Sequence, residues 1–330
     1  MVTVRAVLSM AAMYGWRLHQ MDVFNAFFQG DLVEDVYMVQ PPGFARQGSC
    51  LRVTMYGWRL HQMDVFNAFF QGDLVEDVYM VQPPGFARQG SCLSHYDYSL
   101  FTKKLDGHIV IILVYVDDLL ITGSSSSLIH ATKASLQHHF KIKDLGEMKY
   151  FLGLEIARSK DGISVCQRKF ALDLILDLGL AGSKPANTPL EVNQRLTSVE
   201  YDKGLGAGDT EIDEAMEDAT SYQKLVGKLL YLTMARPDIA YTVQNLSQFM
   251  LSPKKSHMEA ALRVVKYLKN APGLGILLSS KRSNELIVFC DADWATCPMT
   301  RKSISGFVVK IGDSLLSWKS KNRVLYQEFQ

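Results

Sequence analysis

Apolar residues recur along the chain at two spacings, one typical of helices and one typical of strands. Apolar positions three and four residues apart predict helices over residues 2–13, 128–140, 169–179, 221–235, 238–250 and 256–270. Runs rich in β-branched and aromatic residues predict strands over residues 16–24, 109–116, 119–122, 147–157, 162–167, 286–290, 304–311 and 314–319. The chain therefore contains both kinds of element.

One stretch shows little apolar periodicity. Residues 198–219 hold eight acidic residues and three glycines. A segment of this composition has little apolar surface to bury, so it predicts a flexible acidic linker. The linker divides the chain into a region over residues 1–197, a helical region over 220–283 and a short sheet region over 284–330.

A perfect internal duplication lies in the first of these regions. Residues 13–51 and 55–93 are identical, with an offset of 55 − 13 = 42 residues. Repeat folds show degenerate similarity and need about three or more units to stack, so two perfect copies indicate a recent duplication. The fold then has room for one copy, and we expect the other to form a poorly packed insertion.

The composition is that of a soluble globular protein, with 48% hydrophobic and 21% charged residues among 330. The five cysteines form no Cys-x-x-Cys pair, which predicts free thiols in a reducing compartment and no zinc site. The strongest apolar run, Ile109 to Ile121, is too short to cross a bilayer and contains two aspartates. The N-terminus predicts an amphipathic helix rather than a signal peptide. We therefore expect a cytoplasmic or nuclear protein without membrane contact.

Charge is distributed unevenly although the formal net charge is only +1. Lys and Arg outnumber Asp and Glu within residues 254–323. Such an excess suits a polyphosphate partner, but it is equally typical of a solvated lysine-rich surface. Charge alone leaves these two interpretations open.

Two adjacent aspartates, Asp117 and Asp118, stand between the apolar strands 109–116 and 119–122. A tight hairpin would place both near its tip, where a metal ion would offset their repulsion. Asp22 and its duplicate Asp64 each end a predicted strand and are the candidates for a third carboxylate. The pair Asp117–Asp118 taken alone is a weak signal, because exposed hairpin tips often carry acids.

An aromatic residue follows each of the duplicated aspartates by five positions: Phe27 follows Asp22, and Phe69 follows Asp64. A ring beside the sugar of an incoming nucleotide could exclude a ribose 2′-hydroxyl. A phenylalanine at such a position is more often part of the core, so this motif depends on its context.

The context resembles copia-type reverse transcriptases over nearly the whole chain and in the order of that family. The motifs that carry the resemblance are Leu18-His19-Gln20-Met21-Asp22-Val23 with Asn25-Ala26-Phe27, Gln40-Pro41-Pro42-Gly43-Phe44, Tyr115-Val116-Asp117-Asp118, Asp144-Leu145-Gly146 with Tyr150-Phe151-Leu152-Gly153, Leu225-Val226-Gly227-Lys228-Leu229-Leu230-Tyr231-Leu232, Asp291-Ala292-Asp293-Trp294, and Ser317-Trp318-Lys319-Ser320-Lys321.

The resemblance implies an α+β fold, with a right-hand polymerase palm, a helical connection and a partial RNase H-like α/β sheet. It implies that Asp22 or Asp64, together with Asp117, holds two Mg²⁺ ions, and that Asp118 assists the metal site or shapes the turn. Phe27 or Phe69 would be the sugar gate. The implied partners are an RNA template, a DNA primer and deoxynucleotide triphosphates.

The resemblance also implies that Asp291 is the first metal-binding carboxylate of an RNase H-like site. Beyond the Ser-Trp-Lys-Ser-Lys motif, residues 322–330 do not match the family, so we expect that site to be incomplete.

The sequence departs from the family pattern inside the first region. A stretch centred on a Leu-Tyr-Gly-Leu-Lys-Gln-like motif, which supports template and nucleotide, is missing, and the second copy of the duplication occupies its place. We also expect the fingers strands that the family has before the first motif to be missing. We therefore expect a catalytically impaired reverse transcriptase. The alternatives are a non-catalytic retrotransposon relic that binds nucleic acid and a translated pseudogene that never folds stably.

Overall fold

The computed structural model describes residues 1–23, 91–94, 97–191, 196–204, 213–295, 297 and 299–323. All the described elements belong to one compact unit that takes in residues 1–24 and 90–330. The helices are α1 (Val2–Tyr14), α2 (Ser126–His139), α3 (Arg168–Asp177), α4 (Val199–Gly204), α5 (Thr220–Leu232), α6 (Ala240–Leu246) and α7 (Lys255–Leu268). The strands are β1 (Leu18–Val23), β2 (Ser91–Ser94), β3 (Asp97–Leu105), β4 (His108–Tyr115), β5 (Asp118–Gly123), β6 (Ile142–Glu147), β7 (Tyr150–Phe151), β8 (Leu154–Arg158), β9 (Gly162–Cys166), β10 (Ile276–Ser279), β11 (Leu286–Asp293), β12 (Ser303–Ile311) and β13 (Ser314–Arg323).

The largest sheet has six strands in the order β2-β3-β4-β5-β1-β6. Its central strands β4 and β5 are the apolar run of the sequence, and residues 110–113 and 119–121 are buried. Strand β1 is inserted between β5 and β6, antiparallel to both. The β1, β4 and β5 strands and α2 lie where the sequence predicted them, and the mixture of helices and sheets agrees with the predicted α+β class.

The two faces of this sheet are covered by different elements. Leu18, Leu113 and Leu120 share a buried cluster with apolar residues of α1 and of the four-stranded sheet β10-β9-β8-β7. On the other face, Lys133 of α2 contacts His19 of β1. Because successive strand side chains alternate between faces, residues 18, 20 and 22 point to the α1 side and residues 19 and 21 to the α2 side.

A second core lies among the helices α3, α5, α6 and α7. Its largest member, Tyr222, is fully buried and donates its hydroxyl proton to the carbonyl of Leu246 at 2.8 Å. The sequence predicted four helices here. The third is divided into a 3₁₀ turn at Pro237–Ile239, helix α6 and a 3₁₀ turn at Ser247–Phe249.

The last three strands form a sheet in the order β11-β12-β13, as predicted. The bounds of the predicted regions, and the identification of this sheet as RNase H-like, stay predictions. Among the described helices, none is long and apolar enough to cross a membrane.

The predicted flexible linker over residues 198–219 is corrected where the structure describes it. Residues Val199–Gly204 form α4. The buried ammonium of Lys254 contacts the carboxylates of Asp202 at 2.6 Å and Asp213 at 2.9 Å. Local composition indicated flexibility because the counter-charge for these acids comes from Lys254, more than forty positions away. Residues 205–212 lie outside the described residues.

His257 lies fully buried beside this ion-pair network. Its ring stacks on Phe249 with centroids 4.0 Å apart, and its Nδ1 accepts the backbone N–H of Lys254 at 3.1 Å. Burial, reinforced by the charge of Lys254, lowers the pKa of His257 to about 4. The folded state therefore binds this proton less readily than the unfolded chain, whose histidine has a pKa of about 6.5.

We expect acidification to destabilise the protein through His257. The contribution of the neutral ring is fully present above pH ~6.5 and is lost as the pH falls towards ~4, up to an amount on the order of 3 kcal/mol. Urea unfolding at pH 7, 5.5 and 4.5 measures this loss, and His257→Gln should flatten the pH dependence. An equal slope for wild type and His257→Gln would contradict the assignment, because other groups would then carry the whole effect.

Candidate active site

The two aspartates predicted at a hairpin tip lie at one. Tyr115 pairs with Asp118 at the end of the β4–β5 ladder, so only Val116 and Asp117 form the turn. Val116 has a φ of 53°, which is unusual for a β-branched residue. The turn is therefore strained, and it presents Asp117 and Asp118 at the edge of the apolar core.

Strand β1 brings Asp22 to the same corner. Asp22 stands directly opposite Asp118 in the β1–β5 register. The backbone N–H of Val23 donates to the carbonyl of Asp117 at 2.9 Å, and the side-chain amide of Gln20 donates to Oδ1 of Asp118 at 3.0 Å. Directly opposed residues of an antiparallel pair have Cβ atoms about 4.5–5.5 Å apart and project to the same face. Asp22 and Asp118 therefore share one face of the sheet.

Their proximity affects the acidity of Asp22. Partial burial, and then the charges of Asp118 and Asp117, raise the pKa of this carboxyl above its ordinary value, while Lys143 acts in the opposite direction. A raised pKa means that the ionised form of Asp22 is disfavoured in the folded protein. A bound cation would remove that penalty.

The chemistry of these side chains suits Mg²⁺, which prefers hard oxygen ligands. Across the part of the chain that the structure describes, no group of three or more His, Cys, Asp or Glu side chains converges closely enough to form a metal cage. Mg²⁺ usually keeps several waters and is held by one or two carboxylates plus substrate phosphates, so a closed protein cage is not required. Two opposed carboxylates at an accessible corner fit that mode of binding.

The other predicted residues fall elsewhere. Asp64, Phe27 and Phe69 lie outside the described residues. Asp291 lies on β11, where its Oδ1 accepts the backbone N–H of Ala292 at 2.9 Å. It shares a strand face with Asp293, two residues on, and both are exposed. The metal-binding role of Asp291 stays a prediction.

Two cations around the corner, one beside it and one on the opposite face of the sheet, were not predicted from sequence. Lys143 of β6 stands opposite Asp22 on the side away from Asp118. Lys133 of α2 is a buried cation, with only 6% of its side chain exposed. The available signal was its helical spacing, because Lys133 lies four residues after Ile129 and three before Leu136, and a lysine on this apolar face requires a partner.

The basic excess over residues 254–323 is reduced by internal contacts. Lys254 pairs with acids of the linker, Lys255 with Glu214, and Arg263 with Glu191 at 2.8 Å. Lys269 donates to backbone carbonyls at the end of α3, including that of Leu180 at 2.9 Å. Lys254 is buried in these contacts, whereas Lys255 is exposed and its surface ion pair holds it only weakly, so the charge count overestimated what remains for phosphates by the buried groups.

A family model described as reverse transcriptase (RNA-dependent DNA polymerase) matches residues 1–55 and 93–192. The unmatched interval, 56–92, coincides almost completely with the second copy of the duplication. The matched part therefore contains Asp22, Asp117 and Asp118 but not Asp64.

Several relatives are similar over most of the chain. The retrovirus-related Pol polyprotein from transposon RE1 of Arabidopsis thaliana is 36% identical over 97% of this chain. The chain spans only 20% of that polyprotein. A putative transposon Ty5-1 protein of Saccharomyces cerevisiae is 30% identical over 91% of this chain and 92% of its own length.

An uncharacterized mitochondrial protein of Arabidopsis thaliana is 33% identical over 64% of this chain and 83% of its own length. No solved structure matches the chain. The family match and the relatives confirm the resemblance to copia-type reverse transcriptases that the sequence indicated. The chain belongs to the reverse transcriptase (RNA-dependent DNA polymerase) family and is similar to one segment of copia-type retrotransposon polyproteins.

Proposed function

We propose that the corner formed by Asp22, Asp117 and Asp118 is the metal-binding centre of a nucleotidyl-transfer palm. The observation that carries the proposal is the β1–β5 register, which sets Asp22 opposite Asp118. Asp22 and Asp117 would hold two Mg²⁺ ions, and Asp118 would support them from the strand end. The substrates of this function are an RNA template, a DNA primer and deoxynucleotide triphosphates.

Two bound Mg²⁺ ions would neutralise the triphosphate and favour ionisation of the primer 3′-hydroxyl. The protein's own part is to hold carboxylates at fixed positions on a rigid sheet. The ladder bond between Val23 and Asp117 and the bond from Gln20 to Asp118 restrict this corner. Positioning is most of phosphoryl-transfer catalysis, so rigidity here matters as much as the number of carboxylates.

We also propose that this chain is impaired in primer extension. The duplicated segment over residues 56–92 has no counterpart in the family model. The resemblance implies that it stands where the family has its template-supporting stretch. A palm that binds metal without a positioned template loses most of its rate, because misplacement by about 1 Å can cost on the order of a hundredfold. The runner-up function, a relic that only binds nucleic acid, rests on the same observation.

Primer extension tests this proposal. Purified protein with Mg²⁺, an RNA template and a DNA primer should extend no more primer than its Asp117→Ala, Asp118→Ala variant. Extension by the wild type that vanishes in the variant would overturn the proposed impairment and support the carboxylate assignment. Equal weak extension by both proteins would agree with the impairment, and it would favour the relic over an impaired palm only if the wild type also bound no Mg²⁺ while its nucleic-acid binding weakened steeply with salt.

A further inference from the structure

The edge strand β6 contains a bulge next to the carboxylate corner. Gln20 of β1 pairs with Gly146, but the next residue, Met21, pairs with Asp144, so Leu145 is the extra residue. Gly146 has a φ of 82°, which glycine adopts without strain. The bulge shifts every later pair of the β1–β6 ladder by one residue.

This shift decides which side chain faces Asp22. In the observed register Asp22 stands opposite Lys143. Continuing from the Gln20–Gly146 pair without a bulge would put Asp144 opposite Asp22 instead. A cation beside the carboxylates would then be replaced by a fourth acid, and like charges directly opposite one another are destabilising. The electrostatics of the corner therefore depend on the bulge.

The side chains around the bulge are fixed by one buried lysine. The ammonium of Lys133 donates to both carboxylate oxygens of Asp144 at 2.9 Å and to Nδ1 of His19 at 3.1 Å. An ammonium has three protons, so all of its donors are used. Asp144 in turn accepts the backbone N–H of Gly146 at 2.9 Å, across the extra residue.

We propose that Lys133 is a positioning residue that locks the β6 bulge, and thereby keeps Lys143 rather than Asp144 opposite Asp22. Lys133 touches neither the carboxylate corner nor the expected substrates. It connects α2 to β1 through His19 and to β6 through Asp144, on the face of the sheet opposite to Asp22. The inference rests on the proposed metal-binding function for its significance, although the register itself is measurable without any activity.

Lys133→Met tests the proposal, because methionine fills similar space without the charge. The side chain of Asp144 is 37% exposed and can be hydrated when its partner is lost, so the variant is expected to fold. Cross-strand nuclear Overhauser contacts report the register in selectively labelled full-length protein. The contact between Asp22 and Lys143 should fall at least twofold relative to the contact between Asp22 and Asp118, which serves as an internal reference.

Lys141→Met is the matched control, since Lys141 is an exposed lysine just before β6. The β1–β6 register should stay unchanged in this variant. If Lys133→Met folds poorly, the double variant Lys133→Met, Asp144→Asn removes the remaining charge and should lose the same contact. An intact Asp22–Lys143 contact in a folded Lys133 variant would overturn the proposal, even if the melting temperature of the variant falls. The Lys133–Asp144 pair would then stabilise the fold without determining the register.

Mg²⁺ titration calorimetry separates this proposal from the proposed function. Lys133→Met should bind Mg²⁺ about tenfold more tightly than wild type, because the changed register exchanges the cation of Lys143 for the carboxylate of Asp144 opposite Asp22, and Lys141→Met should bind it as the wild type does. Wild-type protein that binds no Mg²⁺ would count against the metal centre while leaving the register measurement to decide on Lys133. Normal Mg²⁺ affinity together with a changed register would refute the positioning role.

Discussion

Asp22→Asn is expected to weaken Mg²⁺ binding by at least about tenfold, whereas Asp64→Asn should change it by less than about twofold. The two aspartates occupy identical sequence contexts within the two copies of the duplication, so each variant is a matched control for the other. Asp22 lies opposite Asp118 in the central sheet and falls inside the matched part of the family model. Asp64 falls in the unmatched interval, and we infer that its copy is the insertion.

Stability measurements without metal provide the check on folding. Burial and the neighbouring Asp118 and Asp117 raise the pKa of Asp22, so its charge opposes folding at neutral pH. Asp22→Asn should therefore unfold at the same or a higher urea concentration than wild type when Mg²⁺ is absent. Added Mg²⁺ should stabilise the wild type and the Asp64→Asn variant, and should stabilise Asp22→Asn much less.

Titration calorimetry at low ionic strength measures the affinities, with Asp117→Asn as a variant expected to lose binding as well. A larger loss in Asp64→Asn than in Asp22→Asn would contradict the assignment and would mean that the second copy supplies the metal ligand. Equal, small losses of Mg²⁺ affinity in Asp22→Asn and Asp64→Asn would show that strand β1 takes no part in metal binding.

The parts of the fold that sequence reasoning predicted share a physical basis. Strands β4 and β5 are continuous apolar runs, and helices α5 and α7 repeat apolar residues at helical spacing, so their burial is encoded locally. Strand β3 was missed because it contains no such run. It lies beside β4 nearer the sheet edge, and between Asp97 and Leu105 it mixes polar and apolar residues.

The features of the candidate site also divide into those that the sequence predicted and those that it did not. Asp117 and Asp118 could be placed at a hairpin tip from the flanking apolar strands alone. The bulge at Leu145 could not, because it is defined by pairing with β1, more than a hundred residues earlier in the chain. Hydrophobic periodicity determines which face of a strand is buried, but it does not identify the partner strand, and register and long-range ion pairs depend on that partner.

In the acidic segment before α5, local composition led to an expectation that the described residues do not meet. High acidity and several glycines indicated a solvated linker. Asp202 and Asp213 are instead held by Lys254, whose side chain is 4% exposed. Composition describes what a segment would do alone, and a buried counter-charge from a distant helix changes that outcome.

Trp318→Ala is expected to destabilise the protein by about 3 kcal/mol, because Trp318 anchors the last strand to the first helix. The guanidinium of Arg5 in α1 lies 4.0 Å from the centroid of the indole ring, and the indole N–H donates to the carbonyl of Thr233 at 3.2 Å. Arg5 is 7% exposed and donates to the carbonyl of Leu316 at 2.6 Å. Truncating the tryptophan removes the ring contact and one hydrogen bond together.

Arg5→Met separates the ring contact from the cost of burying the charge. Burial lowers the pKa of Arg5 to about 10, and its Nε has no hydrogen-bond partner among the described residues. Arg5→Met alone should therefore destabilise by only about 1 kcal/mol, since it removes a cation–π contact together with a desolvated cation. In the Trp318→Ala background the same change should be neutral or stabilising, because the guanidinium has lost the ring that compensates its burial.

Urea unfolding of the wild type, both single variants and the double variant gives the coupling between the two residues, expected at about 1–2 kcal/mol. Additive effects would show that the guanidinium gains nothing from the ring. In Trp318→Ala, but not in the wild type, β13 could separate before the rest of the chain unfolds. That result would identify the contact between Arg5 and Trp318 as what joins the final sheet to the rest of the compact unit. Hydrogen exchange at backbone amides of β13 distinguishes that local opening from a uniform loss of stability.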